Sequence, residues 1–348
     1  MKKNLFKIIL YIQIVMGLLA ASSTGFALTK SFNVINFKPA IGKSKYFTTY
    51  DNQFLFQKSF LLGTYFDYAY SPLEFTLASG NKLKFIQDFL VLDIYGTYAL
   101  FDWWEIGLDV PIVLFNKYID PITRIGSYKS SLSDLRLVSK FRLLNPELYK
   151  VGISLIPFID IPTSIGDTYL TNGTPAGGAL VVFDYSPVEY FSLALNTGYL
   201  TRARYTDQYG ADIDDQFLYS LGLVGGPFRK FSAILEVAGS TDIDTFFKNS
   251  FKSPLEIRAG LSMALTKDFT LKVGGGRGLR GGAGDPSFRT FVGLSYEHTV
   301  QPQALEPSNL PAEYQAELNM ALIAKILNQY RVFFTVGSYK SVRVIMIN

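Results

Sequence analysis

Apolar and polar residues alternate along most of the chain. In the segments 104–112, 133–143 and 255–265, nearly every second residue is apolar, and most residues between them are charged, serine or glycine. Successive side chains of a β-strand point to opposite faces of a sheet, so each segment predicts a strand with one apolar and one polar face. This pattern alone fits a soluble β-sandwich as well as a membrane β-barrel.

Segment length favours the barrel. The alternating runs are about 10 to 12 residues long, the length of a tilted membrane strand, whereas strands of soluble proteins usually have about 5 or 6 residues. We predict an all-β, transmembrane, antiparallel up-and-down β-barrel of about 12–16 strands, with 14 as the best value and 12 as the alternative. The predicted strands are 32–38, 46–56, 60–70, 88–100, 104–115, 133–144, 150–160, 176–185, 189–200, 216–225, 231–240, 255–265, 269–275 and 288–297.

The connections between these strands alternate in length. Short connections are predicted at 101–103, 144–149, 186–188, 226–230 and 266–268. Long connections are predicted at 71–87, 116–132, 162–175, 205–215, 242–253 and 278–286. Short periplasmic turns opposite long external loops are typical of outer-membrane barrels.

The ends of the chain differ from this pattern. Residues 1–27 have the features of a cleaved signal peptide: three lysines, a short apolar run, and small residues at Gly25 and Ala27. We therefore divide the chain into a signal peptide (1–27), an outer-membrane β-barrel (28–299), a Pro-rich linker (300–312) and a periplasmic α/β tail (313–348). No plug is predicted after the signal peptide, which argues against active uptake.

Composition restricts the chemistry. Phe, Tyr and Trp make up 15% of the residues, and aromatic side chains favour strands and membrane interfaces. Cysteine is absent, which excludes disulfides, thiolate metal sites and cysteine nucleophiles, and the net charge of +4 does not indicate nucleic-acid binding. His298 is the single histidine. We expect no catalytic residues and no enzymatic activity.

Two motifs could suggest ligands. Residues 276–281 match the dinucleotide-binding fingerprint by letters, but the Gly- and Pro-rich residues 282–286 cannot begin the helix that this motif requires. Asp207, Asp212, Asp214 and Asp215 cluster in one predicted loop, yet their spacing fits no known calcium loop. We predict neither a cofactor nor a metal.

The polar faces of the predicted strands carry charges of both signs. A charge on the lipid face at the bilayer centre costs about 2–4 kcal/mol, so these side chains are expected to line the lumen. The lumen-lining candidates are Asp93, Glu105, Asp109, Arg136, Lys140, Arg142, Glu236, Glu256, Arg258, Lys272 and Arg289. They indicate either a water-filled pore that selects solutes by charge and width, or internal ion pairs that fill a blocked barrel.

Aromatic residues lie beside the short turns. Such residues are typical of the aromatic girdle at a membrane interface. The predicted periplasmic girdle consists of Trp103, Trp104, Tyr185, Tyr190, Phe191, Phe228, Phe231 and Phe269.

Several motifs carry a family resemblance. FKPA at 37–40, YFT at 46–48, GTYFDYA at 63–69 and the turn and strand at 100–111 resemble the N-terminal barrels that precede OmpA-like domains in some Gram-negative surface proteins. The resemblance covers about residues 31–298. Residues 332–338 look like the opening strand of the OmpA-like domain, which in such proteins grips peptidoglycan. The chain ends before the binding aspartate and arginine, so peptidoglycan is a doubtful partner.

These observations lead to one functional hypothesis and three alternatives. We expect a porin-like outer-membrane channel for passive diffusion of small hydrophilic solutes, with outer-membrane lipid and the barrel-assembly machinery as partners. The first alternative is a structural or surface barrel of the OmpA type with a blocked lumen. The others are an outer-membrane lipid hydrolase that uses His298, and a secreted β-sandwich.

Overall fold

The computed structural model describes residues 31–76, 82–119, 125–146, 150–163, 169–206, 212–228 and 230–300. The predicted signal peptide and the predicted linker and tail after Val300 therefore lie outside the described residues. Fifteen strands form in the described part of the chain. They are β1 (Phe60–Thr76), β2 (Lys82–Phe101), β3 (Trp104–Ile119), β4 (Gly126–Leu132), β5 (Leu135–Leu144), β6 (Val151–Ile161), β7 (Ala176–Val188), β8 (Phe191–Thr201), β9 (Tyr205–Thr206), β10 (Asp212–Ile213), β11 (Gln216–Phe228), β12 (Phe231–Asp242), β13 (Leu255–Ala264), β14 (Phe269–Gly278) and β15 (Phe288–His298).

Twelve of these strands close into one antiparallel barrel. The order around the wall is β1-β2-β3-β5-β6-β7-β8-β11-β12-β13-β14-β15, and β15 pairs with β1 from Phe60↔His298 to Tyr70↔Phe288. β4 is an additional strand that pairs with the end of β3, and β9 and β10 form a separate two-stranded hairpin. Closure leaves the wall without an unpaired edge. The all-β barrel is confirmed, and the strand number is 12 rather than the best value of 14.

The difference of two strands arises at the beginning of the chain. Residues 32–38 and 46–56, predicted as strands, form neither a strand nor a sheet pairing. They lie inside the barrel, where the backbone is bonded by side chains of the wall rather than by a neighbouring strand. The predicted long loop 71–87 is also wrong in part, because β1 and β2 extend through most of it.

The two ends of the barrel are distinct. Strands are joined by short connections at one end, for example β2–β3 at residues 102–103 and β7–β8 at 189–190, and we call this the short-turn end. The longer connections, such as 162–175 and 243–254, gather at the opposite, long-loop end. This is the alternation predicted from the sequence.

The wall is apolar outside, and its inner face combines charged side chains with buried apolar ones. Large apolar side chains on the outer face remain exposed in eleven of the twelve barrel strands, such as Leu62 in β1 (55%) and Leu294 in β15 (42%), and those of β6 are partly exposed. Charged residues at the neighbouring positions are buried, among them Asp67, Glu236 and Arg289. This is the reverse of a soluble protein and the arrangement of a barrel that faces lipid. Among the described residues, no helix is long and apolar enough to cross a membrane.

Candidate functional site: a barrel lumen filled by the N-terminal segment

Residues 31–58, which we call the plug, run through the interior of the barrel. The plug contacts the long-loop end first, since the Ser31 and Val34 N–H groups donate to the carbonyls of Asn172 and Tyr169. At the short-turn end, the Lys43 side chain donates to the Glu297 carboxylate. The plug then returns to the middle of the barrel and leaves it at Lys58, whose N–H donates to the Ala99 carbonyl. The expectation that no plug follows the signal peptide is therefore wrong.

Side chains of the wall satisfy the backbone of the plug at mid-barrel. Glu236 of β12 accepts the N–H of Phe47 at 2.6 Å, and it also accepts the N–H and the hydroxyl of Thr48. Asn196 of β8 accepts the N–H of Tyr50 at 2.8 Å and donates to its carbonyl at 2.9 Å. A buried backbone group without a partner is costly, so these side chains replace the ladder that a strand would have had.

Two lysines of the wall bind the carbonyl groups of the plug. Lys140 of β5 donates to the carbonyls of Lys43 and Gln53, and Lys272 of β14 donates to those of Ser44 and Tyr46. Glu105 of β3 accepts the N–H of Leu55. Hydrogen bonds to charged groups contribute about 1.5–3 kcal/mol each, so these three residues and Glu236 form a strong clamp. We call Glu105, Lys140, Glu236 and Lys272 the clamp charges.

Glycines of the wall make room for the plug. A Cβ atom at Gly222 would lie 2.5 Å from Cδ1 of Tyr46, and one at Gly152 would lie 2.5 Å from Cβ of Asn52. A Cβ atom at Gly107 would lie 2.4 Å from Ile41. Real Cβ atoms do not approach so closely, so the plug and the wall fit together only because these positions lack side chains.

The predicted lumen-lining charges lie on the inner side of the wall. Nine are buried, namely Asp93, Glu105, Asp109, Arg136, Lys140, Glu236, Glu256, Arg258 and Arg289, and Arg142 and Lys272 are partly exposed. Most contact the plug, for example Arg258 at the Thr48 hydroxyl, and Arg142 over the Phe54 ring. Asp93 and Asp109 line a cavity of about 10 Å³ beside Lys38.

Some of these charges also bind one another. Arg289 pairs with Asp67 and with Glu256, whose Oε1 lies 2.7 Å from the Arg289 Nε, and Glu256 also pairs with Arg258. Arg136 binds Asp160 through two nitrogens at 2.7 and 2.9 Å, and Lys38 of the plug joins them at 3.0 Å. Asp67 and Asp160 are absent from the predicted set, although alternation within their own strands would have identified them.

Two larger cavities, lined by both polar and apolar side chains, remain beside the plug. The first, of about 150 Å³, extends from the long-loop end to mid-barrel and is lined by polar side chains such as Lys38, Asn196 and Arg202. The second, of about 270 Å³, opens at the short-turn end beside Lys45, Glu189 and Lys272. No described residue lines both of them, so the plug separates them.

The connections at the long-loop end carry their own charges. Asp212 pairs with Arg204 and Lys252 at 2.8 Å, and the hydrogen bond from Arg204 is the main reason that its pKa lies well below the usual range. Burial raises the pKa of Asp285 to about 6, although this carboxylate accepts the N–H groups of Leu255 and Gly282. Within the described ranges, no group of three or more acidic or histidine residues could hold a metal ion. Asp207 lies outside those ranges.

The predicted girdle residues gather at the short-turn end. Seven of them are well exposed, from Phe191 at 39% to Phe228 at 62%, and Trp104 is half-buried with its indole N–H donating to Ser139. Trp103 and Trp104 stack with Phe101 and Phe141. His298 lies at the same end and stacks on Phe60, with ring centroids 5.0 Å apart.

Comparison with known proteins gives a fold and not a family. No protein family and no curated protein matches the sequence. Among solved structures, an outer membrane channel from Pseudomonas putida F1 is similar with a TM-score of 0.52 and 15% identity, over 71% of this chain and 98% of that one. The NanC porin has a TM-score of 0.47 and 10% identity, and the KdgM porin 0.43 and 8%, each over 68% of this chain and 98% of theirs. The similarity to the channel from Pseudomonas putida F1 shows that the chain shares its β-barrel fold.

Proposed function

We propose that this protein is a porin-like channel of the Gram-negative outer membrane that lets small hydrophilic solutes diffuse passively. The observation that carries the proposal is a closed wall with an apolar outer face and charged cavities entering its interior from both ends. Lumens of this kind select solutes by width and charge. The similarity to an outer membrane channel supports it, and we propose no enzymatic role.

A structural or surface barrel is the second candidate function. The observation that favours it is the plug itself, which fills mid-barrel with buried side chains such as Tyr46 and Phe47. In that case the charges of the lumen would only hold the barrel together. The two functions differ in what happens when the plug is removed.

Conductance of the purified protein in planar bilayers distinguishes them. We expect the wild-type protein to show small or brief openings, and a variant lacking residues 31–58 to show a larger and lasting open level because the clamp charges then face water. Heat-modifiable gel migration establishes that each variant is folded. A folded deletion variant that stays silent would overturn the channel and support the structural barrel.

A further inference from the structure

Tyr46 occupies the position where the two cavities end. The first cavity reaches Thr48, the second reaches Lys45, and neither is lined by Tyr46 or Phe47. The Tyr46 side chain is fully buried, and its ring lies against the backbone of Gly222. A movement of this one ring and its flanking residues would therefore connect the two cavities.

Tyr46 is held by its backbone neighbours and not by its hydroxyl. Among the described residues, the Tyr46 Oη has no hydrogen-bond partner. The Tyr46 carbonyl accepts from Lys272, and the next N–H, that of Phe47, donates to Glu236. The position of the ring thus depends on two clamp charges that lie on opposite sides of the peptide.

We propose that Tyr46 is the gate of the pore, with Glu236 and Lys272 as the positioning residues that keep it closed. Displacement of residues 44–48 from the Gly222 wall joins the two cavities into one path. The inference rests on the channel function proposed above, and it adds how that channel is regulated: opening requires release of a small part of the plug and leaves the wall unchanged.

Truncation of the gate is the first test. We expect Tyr46→Ala to raise the steady KCl conductance in planar bilayers several-fold, because the ring no longer separates the cavities. The matched control is Tyr98→Ala, which removes a tyrosine ring from the outer face, where the side chain is 41% exposed. The control should conduct like the wild type.

Release of the clamp is the second test. Glu236→Gln keeps the shape of the side chain but removes the charge that binds the Phe47 N–H. Loss of a charged hydrogen bond of this kind should raise the ratio of open to closed time about tenfold or more. Asp244→Asn makes the same change of charge at a loop residue whose side chain is 59% exposed, and it should leave the ratio unchanged.

A reversible crosslink tests the gate in one and the same molecule. The chain has no cysteine, so Asn52→Cys combined with Gly152→Cys can form only one disulfide. A Cβ atom at Gly152 would lie 2.5 Å from the Asn52 Cβ, so the bond needs a shift of about 1 Å. Because residues 44–48 lie outside the crosslinked pair, we expect the oxidised protein to open as often as the reduced one. Openings that disappear on oxidation would show that more of the plug than residues 44–48 must be released. Asn52→Cys alone should not respond to oxidant.

The outcomes separate the gate from the pore. If the variant lacking residues 31–58 conducts, but Tyr46→Ala stays at the wild-type level and Glu236→Gln leaves the ratio of open to closed time unchanged, the gate is wrong and the pore stands. If the folded deletion variant is silent, the pore itself is wrong. If Tyr46→Ala does not fold, the ratio of open to closed time in Glu236→Gln, compared with that in Asp244→Asn, decides alone.

Discussion

The barrel wall and the plug are both rich in aromatic and apolar residues, but they use them differently. Along β6 the burial of side chains alternates at every residue, because one face meets the interior and the other the outside. In the plug, Phe37, Tyr46 and Phe47 are all buried, with no exposed face between them. A two-residue period therefore reports a boundary between two environments, and a segment surrounded on all sides has no such boundary.

Their backbones differ in the same way. The N–H and C=O groups of the wall bond to neighbouring strands around a closed ring. Those of the plug bond to carboxylates, lysines and an asparagine that the wall supplies at mid-barrel. We therefore expect the wall to assemble without the plug, and the plug to have no structure of its own without the wall. Four predictions test this asymmetry.

The largest effect is expected at Arg289, because this residue holds the wall together. Arg289→Met would leave Asp67 and Glu256 buried without their shared cation, and breaking a buried pair in this way costs about 3–5 kcal/mol. Chemical unfolding of the refolded barrel in lipid vesicles measures the loss. Arg204→Met is the control, since this arginine is 53% exposed and solvent screens its pair with Asp212, so its loss should change the free energy of unfolding much less. If both variants lose the same free energy of unfolding, Arg289 does not hold the wall together.

The lipid-facing side of the wall gives the next effect. Leu235 in the middle of β12 is 40% exposed, next to the buried Glu236. Leu235→Arg should destabilise the folded barrel by about 2–4 kcal/mol, because an arginine near the bilayer centre is poorly solvated. Leu235→Met should be nearly neutral. An unfolding midpoint that does not move for the arginine variant would show that this face does not meet lipid.

A smaller effect, confined to the plug, is expected at Gly222. Gly222→Ala places a methyl group against the Tyr46 ring, and overpacking of this kind costs about 1–3 kcal/mol. The plug should become accessible to protease while the unfolding of the wall changes little. Gly225→Ala is the control, because its Cβ would meet nothing closer than 3.9 Å. Combining Gly222→Ala with Tyr46→Ala should remove the clash. The prediction would be contradicted if Gly222→Ala and the double variant changed the unfolding of the wall to the same extent.

The smallest effect is a pH dependence at the long-loop end, where the plug meets the loop 279–287. Burial raises the pKa of Asp285 to about 6, and Asn36 of the plug donates to the neighbouring Ala283 carbonyl. Because folding raises this pKa, the folded loop binds the Asp285 proton more tightly than the unfolded loop does. The resulting stabilisation is complete below the pKa of the unfolded state, and it is lost as pH rises through about 6. The protection of the loop against hydrogen exchange, measured relative to the intrinsic exchange rate at each pH, should therefore be greater at pH 5 than at pH 7.5, by the equivalent of about 1 kcal/mol.

Asp285→Asn is the matched variant for this measurement. The amide keeps the size of the side chain and does not titrate in this range, so the difference in protection between the two pH values should disappear. A loop whose protection stays pH-dependent in the variant would assign the effect to another group. The surface ion pair of Asp212 should not contribute, because its pKa is lowered and it stays ionised over the same range.

Much of the wall follows from sequence alone. The predicted strands 150–160 and 288–297 differ from β6 and β15 by a single residue at each shifted end, since turns and strict alternation define both. The predicted strand 46–56 is wrong for a physical reason. Its aromatic and polar residues suit a strand, but inside a barrel no partner strand is available to accept its backbone hydrogen bonds.

The candidate site was predictable only in part. Alternation indicates which charges point inward, as for Glu236 and Arg258, because neighbouring positions are apolar and face outward. It does not indicate their partners, since Glu236 binds the backbone of a segment 187 to 189 residues away. The pairing of Gly222 with Tyr46 also depends on a packing contact that no local pattern records.

The order of residues by itself determined an antiparallel barrel with apolar residues outside and charges inside, because long segments with a two-residue period are joined by connections that alternate between short and long. Only the tertiary structure decided that twelve strands close the wall and that the first described residues fill the lumen. The physical reason is that a strand's two faces are a local property, whereas occupancy of the lumen depends on the volume left after closure. That volume, and the buried charges that line it, exist only once the ring of strands is complete.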